Sequence, residues 1–446
     1  MRRRNLLAAG AAAALTAQPR LLGRPAVAAP ASVLRYVPSA NLTLLDPVWS
    51  TAYISLCHGY AVFDALYATD AAGNVRPQMA EGHEVSPDGL TWTIRLRDGL
   101  RFHDGEPVRA ADCVASLARW CARQATGQVV GSFVAAWEAA DDRTLRARLH
   151  QPFPNLAYLM AHSVFPAFVM PERLAQTDPG RQVTEMVGSG PFRFVAGEYV
   201  SGALAVYERF AGYVPRGEAA DWTSGGKVAK VDRIEWRVLP DGATAAAALQ
   251  QGEVDWLERP VADLVPVLAQ RRDITLKPID PTGWAAVLRS NQLNPPFDNP
   301  RLRRAVLKAV NQEDFMRVAA GDDPQAWRLC RSAFPCGTRF GDEIGAPFMP
   351  ADPAAAKAVN FLVRGLGQKG YFGWYENAEV EALTQRWLEA GEEAEQRRLS
   401  DAIQRITFET VPNVPLGQYV QRSAWRTSVQ GVLQGPATLS WNVSKA

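Results

Sequence analysis

Five histidines and five cysteines in 446 residues leave little material for metal binding or nucleophilic catalysis. The histidines His58, His83, His103, His150 and His162 share no spacing that would place two of them on one metal ion. No Gly-x-Ser-x-Gly, His-Glu-x-x-His or phosphate-binding Gly-x-x-x-x-Gly-Lys string occurs. An enzyme reading therefore has no constellation to rest on, and no cofactor or metal is expected. Long apolar runs are missing too: the Ala/Leu run near the N-terminus is far too short to span a bilayer. Charge of one sign is not in excess, with 48 Lys and Arg against 46 Asp and Glu. Nothing points to nucleic acid or an anionic membrane surface as partner.

What the N-terminus does carry reads as an export signal over residues 1–28. Arg2-Arg3-Arg4 precede the apolar run Leu6–Leu15, and Ala26-Val27-Ala28 offer small residues for cleavage. Arg3-Arg4-Asn5-Leu6-Leu7 resembles a twin-arginine signal, and no Cys follows the cleavage region to carry a lipid. The leader holds five Arg and no acid, so its removal leaves 43 basic against 46 acidic residues, a mature charge near −3. The remaining chain is expected in the periplasm.

With 47% hydrophobic residues and 13 Trp, the chain can bury a large core and should divide into two lobes. Cys330 and Cys336 flank a short loop and can pair after export, whereas Cys113 and Cys121 lie two helical turns apart, too far to bridge. Ser86-Pro87-Asp88-Gly89 has the residues of a type I turn. Leu90, Trp92, Ile94 and Leu96 alternate with polar residues, which predicts a strand with one buried face. Asp98-Gly99 predicts a hairpin to a return strand Leu100–His103, with His103 orienting the turn at Asp104-Gly105. Periodicity predicts helices over Ala110–Arg123, Asn299–Asn311, Ala378–Glu393 and Glu395–Phe408. Arg109 stands where the first of these needs a cap. Strands and helices alternate through Val187–Trp256, which indicates a mixed α/β lobe.

The string Ser86–Val108 resembles the signature region of the extracytoplasmic solute-binding proteins of peptide-type ABC importers. These are the oligopeptide-, dipeptide- and nickel-binding proteins. Gly188-Ser-Gly-Pro-Phe192, Gly252-Glu-Val-Asp255, Asn294-Pro-Pro-Phe297 and Val411-Pro-Asn-Val-Pro-Leu416 follow in the family's order. The resemblance implies an α/β, two-lobed periplasmic-binding-protein-like fold with mixed sheets and an interlobe cleft. Lobe I would cover 29–280, with the signature hairpin at 86–108, and lobe II 281–416, the chain returning to lobe I over 417–446. Lobe II is expected to be reduced near 362–370, where Leu362–Gly370 joins two helices directly. In the peptide binders the omitted part supplies the acid that meets the ligand's amino terminus, so no residue here inherits that role. A true short variant, a decayed copy and an internal deletion all fit these letters.

The function so implied is capture of a small peptide or similar solute by hinge closure, for delivery to an ABC permease and ATPase complex by a monomer. A ligand-sensing or non-transporting protein, or a degenerate copy that has lost binding, is the alternative. Residues near the expected crossings are the ligand-binding candidates: Trp49, Tyr53, Trp284, Trp374, Tyr375, Tyr419 and Trp441, with Arg289 for a ligand carboxylate.

Overall fold

Three β-rich segments far apart in sequence, 33–37, 233–237 and 256–257, run parallel at the centre of a seven-stranded mixed sheet. The computed structural model describes residues 32–338, 340–341, 344–349, 365–369 and 373–446; the leader, 362–364 and 370 lie outside them. The sheet order is Phe192–Phe194, Leu204–Arg209, Arg233–Arg237, Val33–Val37, Trp256–Leu257, Arg422–Arg426 and Ile274–Pro278, the outer pairs antiparallel. Alternation puts Tyr36, Tyr207, Trp236 and Trp256 on one face, where their rings meet at 4.9, 5.3 and 5.5 Å. Such pairs add about 0.5–1.5 kcal/mol each beyond burial.

A second, antiparallel sheet orders Ala80–Val85, Thr91–Leu96, Thr144–Leu149 and Val134–Ala139. Thr91–Leu96 turns back on the strand before it, not on the one after. Gly89, at φ +72°, donates its N–H to the Ser86 carbonyl at 2.8 Å and closes that turn. With Ala80–Val85 on one side and Thr144–Leu149 on the other, no edge is left for the expected return strand. Leu100–His103 makes only an isolated bridge, Arg101 to Pro107.

His103 does not orient that turn either. It is buried, accepts the Gly188 N–H on Nδ1 at 3.3 Å, and its Nε2 lies 3.0 Å from the Gly190 carbonyl. It thereby anchors the Gly-Ser-Gly loop, where a Cβ on Gly188 would stand 2.1 Å from the Val62 carbonyl oxygen. Burial pushes the His103 pKa down to about 4, and that of His58, bonded to the Tyr207 hydroxyl at 2.9 Å, down to about 3. Both lie below the unfolded value near 6.5, so the unfolded chain binds more protons as pH falls and stability falls with it. Each should cost about 2 kcal/mol by pH 5. Urea unfolding at pH 7 and pH 5 should show that loss, and His103→Gln should reduce it by about 2 kcal/mol; an unchanged slope would refute the assignment.

Helix Ala110–Arg123 solves its missing cap through Asp112, whose carboxylate accepts the Arg109 backbone N–H at 2.8 Å. On the same helix Arg119 meets Asp46 at 2.7 Å, both fully buried, and pins the turn at Asp46–Trp49. Lys227 and Asp64 form a second buried pair, also 2.7 Å apart.

The second lobe is built on Trp284–Leu288, Val414–Tyr419 and Trp327–Arg328, an antiparallel three-stranded sheet. Helices Pro300–Ala309, Gln312–Ala320 and Ala378–Glu389 begin on Asn299, Asn311 and Asn377, each side chain accepting a first-turn N–H. Leu307, Phe408, Val411 and Val414 form its core. Cys330 and Cys336, the pair expected to bridge, sit here side by side with sulfurs 3.1 Å apart. The cysteines of the first lobe, Cys57, Cys113 and Cys121, are free.

Both chain crossings between the lobes belong to one ribbon. Ile274–Pro278 pairs with Arg422–Arg426 in the first lobe, ending at Pro278 opposite Arg422. The same two strands pair again in the second lobe, beginning at Trp284 opposite Tyr419. Only 279–283 on one strand and Val420-Gln421 on the other lie between, a short double hinge.

Candidate functional site

The two parallel strands Val33–Val37 and Trp256–Leu257 end beside this hinge. In such sheets the loops after the carboxyl ends of parallel strands line the binding crevice. Here those loops carry Ser39 and the run Glu258-Arg259-Pro260. Glu258 is 3% exposed. One of its oxygens accepts the Ser39 N–H at 2.7 Å and the other the Thr438 hydroxyl at 2.5 Å. Its carboxylate is therefore occupied in joining three loops of the first lobe.

Arg259 is placed differently. Its guanidinium carbon stands 4.2 Å from the Tyr53 ring centre and 4.7 Å from that of Trp284. The two rings meet edge to face, 5.4 Å apart and 70° inclined, so the guanidinium fills the corner between them. Tyr53 opens the first-lobe helix Tyr53–Val62, and Trp284 opens the first strand of the second lobe. A single cation thus touches both lobes at the hinge. No carboxylate among the described residues pairs with it at ion-pair distance. Burial alone would lower its pKa; the adjacent Glu258 charge and Tyr53 outweigh that and hold it above the ordinary value. Burial, with Cys57 and Glu258 nearby, keeps the Tyr53 hydroxyl protonated, 3.4 Å from Thr438.

These residues, with Ile279, Asp280, Gln421, Gly435 and Pro436, line a cavity of about 20 Å³. That volume holds a water molecule, whereas a site for a drug-sized ligand measures some 300–1,000 Å³. A solute of that size reaches these side chains only if the lobes part.

Of the residues expected here from sequence, Tyr53 and Trp284 meet in the cavity wall, and Tyr419 lies beside Trp284 in the strand register. The others stand elsewhere. Trp49 lies half-buried 4.6 Å beneath the Arg123 guanidinium. The Arg289 stem packs against Gly373, next to the half-buried Trp374. Tyr375 is buried in the second-lobe core with its hydroxyl 2.6 Å from that of Thr410. Trp441 is 0% exposed, deep in the first-lobe core.

Sequence reading missed Arg259 and Gln421. The available signal was position: Arg259 follows a short strand that closes a helix–strand unit, at the sheet's carboxyl edge. It also took Gly-x-Gly-x-x-Gly to be absent, yet Gly365-Leu-Gly-Gln-Lys-Gly370 has that spacing. There the described residues Gly367–Lys369 form a 3-10 turn, and the motif carries no dinucleotide reading without a strand before it and a helix after it. Among the described residues no group of three or more His, Cys, Asp or Glu is placed to hold a metal, and no helix is long and apolar enough to cross a membrane.

Comparison with known proteins extends this geometry. A probable peptide ABC transporter periplasmic-binding protein of Sinorhizobium fredii is 33% identical over an alignment of 531 positions, covering 100% of this chain and 99% of that one. The glutathione-binding protein GsiB of Pectobacterium atrosepticum is 31% identical over 322 residues, 72% of this chain; the match spans only 58% of GsiB. Among solved structures, the binding protein AgaA in complex with agropinic acid superposes with a TM-score of 0.77 at 18% identity, over 93% of this chain and 99% of that one. A dipeptide-binding protein of Pseudoalteromonas in complex with Met-Leu gives 0.74 at 19% identity, over 93% and 100%. These likenesses establish the two-lobed binding-protein fold. Residues 74–360, from the strand before the signature turn into the second lobe, match the family described as "Bacterial extracellular solute-binding proteins, family 5 Middle". Sheets, double hinge and sequence agree, and the chain belongs to the family 5 bacterial extracellular solute-binding proteins.

Proposed function

We propose that this chain is the periplasmic solute-binding component of an ABC importer. It takes a small peptide or similarly sized solute between its lobes and presents it, as a monomer, to a membrane permease and ATPase complex. The observation that carries this reading is the cavity at the double hinge, walled by Tyr53 of one lobe and Trp284 of the other. A ligand touching both walls has contacts in the closed state that the open state lacks, and only such differential contact drives closure. The protein performs no chemistry in this scheme.

The second lobe is read as reduced. The alignment with the Sinorhizobium relative takes 531 positions to cover the 446 residues of this chain, so that relative is the longer protein, which is in keeping with a shortened chain.

A thermal-shift screen of the mature protein against dipeptides, tripeptides, glutathione and opine-type acids tests the proposal. A ligand at a hundred times its dissociation constant adds about 2.7 kcal/mol of stability, a melting shift of several degrees. Small-angle scattering should show a smaller radius of gyration with that ligand than without. A folded protein that responds to no compound of these classes would sink the transport reading and favour a copy that has lost binding.

A further inference from the structure

Two buried or half-buried guanidinium groups show how such a cation is ordinarily held here. Arg119 meets Asp46, and Arg303 donates to the carbonyls of Phe297, Asp298, Thr410 and Val411. Arg259 has two aromatic rings and no acid. We propose that Arg259 receives a carboxylate of the bound solute at the hinge end of the cleft, so that the protein selects carboxylate-bearing solutes. This rests on the solute-binding reading above.

Four observations converge. The guanidinium is positioned by two rings and by Tyr53, with no carboxylate at ion-pair distance, which leaves donors for bidentate capture of a carboxylate. The two acids that line the same cavity are turned to other tasks. Glu258 accepts from Ser39 and Thr438, and one Asp280 oxygen accepts the Thr282 N–H at 2.8 Å. Gln421, at the second crossing, lines the cavity too, and its buried Oε1 has no hydrogen-bond partner. An unfilled acceptor beside a cation suits a ligand that presents an N–H near its carboxylate, as the last residue of a peptide does. Finally, the ring corner is assembled from both lobes, since Tyr53 belongs to one and Trp284 to the other. The carboxylate finds Arg259 fully oriented only when the lobes meet, and binding there is coupled to closure.

The test uses the full mature chain and two matched pairs of probes: Met-Leu with its C-terminal amide, and glutathione with its diethyl ester. Calorimetric titration of the wild type should give at least tenfold tighter binding of a free acid than of its neutral partner. Arg259→Met should erase that preference by weakening the acid alone, and Arg259→Lys, which keeps the charge but not the planar fork, should retain part of it. Equal binding of acid and neutral partner by the wild type, or an undiminished preference in Arg259→Met, overturns the carboxylate assignment and leaves solute binding standing. If neither member of either pair binds at millimolar concentration, both the assignment and the peptide-solute reading fall. Unliganded melting curves of both variants establish that they fold.

Discussion

Lys227→Met should lower the unfolding free energy by about 3–5 kcal/mol, among the largest losses available from one side chain. Lys227 Nζ lies 2.7 Å from Asp64 Oδ1, with the two side chains 2% and 1% exposed. It also stands 4.9 Å from the Trp441 ring centre and 6.0 Å from that of Tyr60. Methionine fills much of the same volume, so packing is nearly kept and the charge alone is removed. Asp64 then loses its counter-ion in a dry site. Its Oδ2 still accepts the Tyr213 hydroxyl at 2.9 Å, and its Oδ1 the Ala65 N–H at 3.0 Å. With Gln78 Nε2 at 3.5 Å there are three neutral donors, and they do not replace an ammonium at that depth. The companion variant is Asp64→Asn with Lys227→Met. It removes both charges and should recover most of the loss, giving a strongly non-additive cycle. Denaturant unfolding of the four proteins decides it: a loss below about 1 kcal/mol for Lys227→Met, or additivity, would show the pair to be incidental.

The same pair explains why Trp441 misled. In the sequence it is a tryptophan near the end of a chain that returns to the hinge, and aromatic residues at such places often wall a cleft. Nothing local tells a ligand wall from a ring that covers a buried ammonium, because Lys227 lies over two hundred residues away. Local signals did carry the elements. Alternation placed Thr91–Leu96, and periodicity placed the second-lobe helices that follow Asn299 and Asn377. Pairing partners were less legible. Asp98-Gly99 is a sound turn signal, yet the preceding strand competed for the same edge and won. The site itself was half legible. Tyr53 and Trp284 stood out by type, whereas Arg259 is one of many arginines. Its distinction is a missing acid, which only three-dimensional neighbours reveal. The family was legible throughout, since it rests on ordered strings that do not depend on which loops meet.

Asn155→Ala should shift the protein toward its open form and weaken ligand binding by up to about a hundredfold, with little change in first-lobe stability. Away from the hinge, the C-terminal end of helix Ala378–Glu389 docks on the first lobe, where Leu388 joins the first-lobe core at 5% exposure. Asn155 Nδ2 donates to the carbonyls of Leu388 at 2.7 Å and Ala390 at 3.1 Å, and its Oδ1 accepts from Gln396 at 3.2 Å. One first-lobe side chain thereby satisfies the end of a second-lobe helix, whose last carbonyls have no partners of their own. Parted lobes expose those carbonyls to water, which can bond them equally well. Closed lobes with alanine at position 155 leave the Leu388 carbonyl dry and unbonded, while the Ala390 carbonyl keeps the Gln396 amide at 2.8 Å. The substitution therefore acts on the closed state alone, at about 1 kcal/mol for each of three bonds. Asn155→Asp should be worse, because it sets a carboxylate against two carbonyl oxygens. Scattering of the unliganded variant should show a larger radius of gyration than the wild type, and titration a raised dissociation constant through the closed fraction. An unchanged radius together with an affinity within twofold of wild type would mean that this contact does not govern closure. The ribbon at 279–283 and Val420-Gln421 would then set the balance between open and closed by itself.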